Sequence, residues 1–103
     1  MYEAAGHFGC TVLRLQHKDL TGSQAFWMGL THFLPKGGAE MSGGPIEKAY
    51  LVVSGNVTVT AEDGKEFQLG PMDSLYIPPG EKRSILNKTN LPATMLVVAS
   101  YPK

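Results

Sequence analysis

Apolar and polar residues alternate over short distances along this chain, and Gly or Pro interrupts the alternation every few residues. Runs rich in Val, Leu, Ile, Thr and aromatics fall at 11–16, 25–34, 48–53, 56–61, 66–69, 74–77, 83–87 and 93–100. A period of two, bounded by turn formers, predicts β-strands, and a series of short strands of this kind predicts a sandwich or barrel. No window holds a helical period over three turns; residues 3–5 alone are placed to begin a turn of helix. The tract Glu62-Asp63-Gly64-Lys65 joins two runs and supplies the positive φ angles of a tight hairpin. Ser54-Gly55-Asn56 has similar turn chemistry. Pro78-Pro79-Gly80 must leave the ladder, since two prolines donate no backbone hydrogen bonds. The class is therefore all-β.

Length and composition narrow this picture. The 103 residues fit one domain spanning the chain, and 43% hydrophobic with 17% charged residues is a globular composition. Nine basic and nine acidic residues cancel, which argues against a broad basic face for nucleic acid. The single cysteine, Cys10, excludes an internal disulfide and reads as a small apolar strand residue. No basic stretch followed by an apolar run opens the chain, and no apolar run approaches a membrane span, so a cytoplasmic protein without membrane partners is expected.

Two spaced motifs carry a family resemblance. Glu47-Lys48-Ala49-Tyr50-Leu51-Val52-Val53-Ser54-Gly55 resembles the end of the first cupin motif, and Leu34-Pro35-Lys36-Gly37-Gly38 resembles the Pro-Gly-Gly turn that precedes it. Asp73-Ser74-Leu75-Tyr76-Ile77-Pro78-Pro79-Gly80, running on to Asn87, resembles the second. The resemblance covers residues 30–87 and implies a double-stranded β-helix, or jelly-roll, barrel around one pocket. The family's metal ligands do not carry over. Counting back from Gly55 puts the ligand Glu on Lys48, and the two His positions fall on Ser42 and Gly44, or on Met41 and Gly43. The third His falls on Arg83. Two cations in place of a carboxylate and an imidazole would repel a divalent metal and attract an anion, so neither metal nor cofactor is expected. Arg presents a planar fork that matches a carboxylate or phosphate.

The resemblance turns Lys48 and Arg83 inward as substrate-binding residues; the competing reading leaves each in solvent or paired with Glu47 or Glu81. Tyr50 shares a strand face with Lys48 and is a candidate proton donor, or else a core aromatic. The even positions Phe26, Met28, Leu30, His32 and Leu34 form an apolar face expected to point inward, which makes His32 a candidate general base. Met41 is expected to pad the pocket and Tyr76 to line it. His7 and His17 read as surface residues. Trp27, Phe33 and Tyr76 are large groups expected at the pocket mouth or at a subunit interface. With the even face inward, Trp27 and Phe33 on the odd face would point outward and suggest a homodimer contact.

The expected function is a metal-independent isomerase, cyclase or lyase that acts on a small organic acid. Arg83, Lys48, Met41 and Tyr76 would bind it, and Tyr50 and His32 would move protons. The alternatives are a non-catalytic ligand-binding or sensor module and a barrel kept for assembly. A pocket with two or more convergent polar groups would favour the enzyme, an apolar pocket with one anchor the module, and a filled barrel the assembly role.

Overall fold

A computed structural model describes residues 6–101, so the helical turn expected at residues 3–5 lies outside the described part. Eight strands and one short helix follow one another: β1 (His7–Gln16), α1 (Lys18–Thr21), β2 (Phe26–Ser42), β3 (Lys48–Ser54), β4 (Val57–Ala61), β5 (Glu66–Leu69), β6 (Ser74–Ile77), β7 (Arg83–Leu86) and β8 (Ala93–Ser100). The strands form one sheet in the order β5-β4-β7-β2-β8-β3-β6, with β1 also paired to β2. The sheet curls into a nearly closed barrel. The expected all-β class holds, and β5, β6 and β8 have the expected bounds. α1 was not expected. It is four residues long, capped by the His17 side chain and ended by Gly22 in the left-handed region.

β2 runs through the stretch read from the sequence as a turn. Its first half pairs with β1 and β8, and its second half pairs with β7 and with the start of β1. Between them the strand bends, with Lys36 at φ 69°. Asn87 holds the bend. Its backbone N–H donates to Gly37 and its carbonyl accepts from Lys36, both at 2.8 Å. Its side-chain amide, fully buried, donates to the carbonyls of Leu91, Leu34 and Phe33 at 2.8, 3.3 and 3.4 Å. Its Oδ1 accepts from the N–H and hydroxyl of Thr89. Beyond the bend, Cβ atoms on Gly37 and Gly38 would lie 2.1 Å from the Gly9 carbonyl oxygen and 2.0 Å from that of Ile85, so neighbouring backbones close on the strand only at glycine.

Alternation and register settle which faces are inside. Across β2, β8 and β3 one set of rows reads Trp27–Ala99–Lys48, Gly29–Val97–Tyr50 and Thr31–Met95–Val52, and these rows face the interior. The other set faces out, and one of its rows is Leu13–Leu30–Leu96–Leu51, four leucines across β1, β2, β8 and β3. The expected orientation of β2 is thus reversed. The odd residues Trp27, Gly29, Thr31 and Phe33 are inside, and the even face with His32 is outside. Deeper in the barrel, Phe33, Val52, Val57, Val59, Ile77, Ile85 and Met95 close the core.

Replacing Asn87 with Ala removes the groups that satisfy the carbonyls at the bend of β2. Urea unfolding should show a loss of about 3 kcal/mol. A loss below about 1 kcal/mol would show that the corner holds without this side chain.

Candidate functional site

The inner rows of β2, β8 and β3 and the facing strand β7 enclose a cavity of about 180 Å³. Most of its wall is apolar, with Val12, Phe33, Ile85, Met95 and Val97 among the lining residues. The polar lining is concentrated in Lys48, Tyr50 and Arg83, with Thr31 and His7 also on the wall. Lys48 and Tyr50 are two apart on β3 and therefore share its inner face. Arg83, the first residue of β7, enters from the opposite side.

Arg83 is 5% exposed, and no carboxylate among the described residues pairs with it or with Lys48. Its Nε donates to the Tyr50 hydroxyl, and its guanidinium sits 5.6 Å from the centre of the Tyr50 ring. Its Nη1 donates to the Ser42 carbonyl at 2.7 Å and lies 3.1 Å from the Ser42 hydroxyl. The guanidinium is thus hydrogen-bonded but not neutralised, in surroundings where an unpaired charge is costly.

The neighbouring groups respond to burial and to this charge. Burial first, and the Arg83 charge second, lower the Lys48 pKa to about 8, so a fraction of its amine is neutral near physiological pH. Burial raises the Tyr50 pKa, with the Arg83 charge and hydrogen bond pulling the other way. Tyr50 therefore stays a phenol at neutral pH. Since its oxygen already accepts from Arg83, its own proton is free to be donated into the cavity.

The structure brings Lys48, Tyr50 and Arg83 together, but not the other candidates. His32 is exposed on the outer face, its Nδ1 3.0 Å from the Thr94 hydroxyl. Met41 is exposed and does not line the cavity, because the register shift against β7 between Ala39 and Ser42 breaks the alternation there. Tyr76 is 57% exposed and borders an outer groove with Phe26 and Glu47. His7, read from the sequence as a surface residue, lines the cavity, and so does Trp27, which fits the pocket-mouth reading of that residue and not the outward one. His7 gets there because β1 runs alongside the second half of β2, with His7 opposite Ala39, and no local pattern marks that pairing. Cys10 is half-buried and packed against the core, and burial pushes its thiol pKa up, away from nucleophilic chemistry.

Three of the positions where the motifs would place metal ligands, Ser42, Lys48 and Arg83, meet in or beside this cavity. The groups present do not fit a divalent cation: two are cationic, and the Ser42 carbonyl is turned to Arg83. Among the described residues, no group of three or more His, Cys, Asp or Glu side chains is placed to hold a metal ion.

The sequence profile of the cupin domain matches residues 29–99. The chain belongs to the cupin family. It is 38% identical over 101 residues to a Mycobacterium tuberculosis protein named beta-D-galactosidase Rv1717, covering 98% of this chain and 86% of that one. Among solved structures, a sugar phosphate isomerase of the cupin superfamily from Silicibacter pomeroyi superposes with a TM-score of 0.79 at 26% identity. That match covers 91% of this cupin but 60% of the isomerase chain. The polyketide cyclase RemF from Streptomyces resistomycificus superposes with a TM-score of 0.84 at 22% identity, covering 92% of this cupin and 67% of the cyclase, and shows the fold alone.

Lys48 should titrate near pH 8 when followed by its side-chain NMR signals: charged below that value and neutral above it. In Arg83→Gln the midpoint should rise. It should stay below the ordinary 10.5, because burial is the larger cause and remains. A wild-type midpoint at 10.5 would contradict the assigned environment.

Proposed function

We propose that this cupin binds a small organic acid in its cavity and moves a proton on it without a metal, as an isomerase, cyclase or lyase. The observation that carries this reading is the buried Arg83, which is charged and has no carboxylate partner among the described residues. An anion in the cavity supplies the missing countercharge, and the guanidinium fork suits a carboxylate. Arg83 anchors the acid and steadies negative charge that develops on it. The neutral fraction of Lys48 takes the proton, and the Tyr50 phenol returns one. His32, on the outer face, has no part in these steps. Two groups with shifted pKa values converging beside one anchor support an enzyme over a binding module, although the module shares the same anion site.

The galactosidase name of the Mycobacterium tuberculosis relative offers a second reading. Glycoside hydrolysis ordinarily uses two carboxyl groups flanking the scissile bond. No Asp or Glu is among the described residues lining this cavity, so the acid-binding reading is preferred.

Calorimetry with benzoate and its neutral twin benzamide tests the anchor. At pH 7 benzoate should bind at least about tenfold tighter, a difference that one charge-assisted contact supplies, and Arg83→Met should remove the preference. Equal affinity for acid and amide in the wild type would overturn the reading.

A second copy of the chain is the proposed cover for the outer sheet face. The rows Leu13–Leu30–Leu96–Leu51 and Gln16–Met28–Val98–Ala49–Tyr76 contain no charged residue, so a symmetric partner meets no repulsion. Five strands span about 20 Å across the face, which runs up to about 30 Å along β2 and is shorter at β6, so a dimer here is at the small end of standard interfaces. Sedimentation should show a dimer in the wild type and a monomer in Leu30→Glu. A monomeric wild type would refute this.

A further inference from the structure

We propose that the cavity is a two-part site, in which Trp27 and Gly29 form a flat subsite for an unsaturated or aromatic ring whose carboxylate reaches Arg83, Lys48 and Tyr50. The inference rests on the acid-binding reading and deepens it by naming the substrate class.

The register places the two parts. Trp27 and Lys48 stand in one inner row on either side of Ala99, and Gly29 and Tyr50 stand in the next row on either side of Val97. Two strand spacings separate the members of each pair, about 10 Å between backbones. Since the Trp27 and Lys48 side chains reach into that span, a molecule with one ring and a short acid-bearing arm can touch both parts. The floor between the ends is low at Ala99 and lowest at Gly29. A Cβ on Gly29 would lie 3.3 Å from Cζ3 of Trp27 and 3.4 Å from the Leu13 carbonyl oxygen. Gly29 therefore lets the indole fold down over β2, where a larger residue would displace it.

The wall chemistry selects the kind of ring. The indole face attracts planar π-systems and apolar ring faces alike. Most of the wall around the ring end is apolar, with Val12, Ile85, Met95 and Val97, and its polar side chains are few: Thr31 and His7 on the cavity, and Arg14 and His17 beside Trp27 and Gly29. A sugar acid has the right charge, but it carries more hydroxyls than these few polar side chains can serve, and each one left without a partner costs free energy. A flat hydrocarbon ring loses nothing and gains the buried area.

Trp27 is the only tryptophan of the chain and reports on its own subsite. The probes are trans-cinnamate, acetate and glucuronate, followed by Trp27 fluorescence and by calorimetry. Cinnamate should change the emission saturably and bind about tenfold tighter than acetate, the increment expected from stacking plus ring burial. Trp27→Leu and Gly29→Ala, each checked for fold by circular dichroism, should lower cinnamate affinity about tenfold and leave acetate within about twofold. If both variants bind cinnamate like the wild type while Arg83→Met loses it, the ring subsite is overturned and the anion anchor stands. If Arg83→Met also binds cinnamate normally, both fail. Glucuronate binding tighter than cinnamate would overturn the assignment of a flat ring.

Discussion

The bend in β2 is the constraint on which this barrel depends. One strand serves both halves of the wall, and it does so by turning at Lys36 and closing against Gly9 and Ile85 at two glycines. A turned strand leaves carbonyls pointing into the core, and buried carbonyls must be satisfied. Asn87 does this with one side chain, which is why a polar residue sits fully buried among apolar neighbours. The same bend carries Ser42 round to meet Arg83, the residue paired with it across β2 and β7. The geometry of the cavity is thus set some distance from the cavity itself.

Within the cavity, the balance of forces lies between solvation and charge. The apolar lining strips water from Arg83 and Lys48, while Ser42 and Tyr50 return hydrogen bonds to Arg83 but no negative charge. Dipoles soften the cost of burying a cation without removing it. The lowered Lys48 pKa is the visible sign of that cost. This polarity does not suit a divalent cation, and it is the ground on which the anion-binding reading is proposed for the family barrel.

Much of the fold could be read from the sequence, since turn residues and β-branched runs act locally. β5, β6 and β8 matched to the residue, and the motif spacing placed Lys48, Tyr50 and Arg83 in one site. The failures share one physical source. Alternation separates the two faces of a strand but does not name the inner one when both are apolar. The even face of β2, Phe26-Met28-Leu30-His32-Leu34, is more uniformly apolar than the odd face, yet it is the outer one. A cavity needs small residues such as Gly29 and Thr31 beside large ones such as Trp27. That misassignment moved His32 into the site and Trp27 out of it. His7 was missed for another reason: only the long-range pairing of β1 with β2 brings it to the wall.

The placement of Lys48 and Tyr50 on one face of one strand bears on stereochemistry. Both side chains rise from the same wall, and the phenol oxygen is held by Arg83. A substrate anchored across the cavity shows that wall a single side. In the proposed reaction, proton removal and return by these two groups would then be suprafacial, and a new stereocentre would form with one handedness.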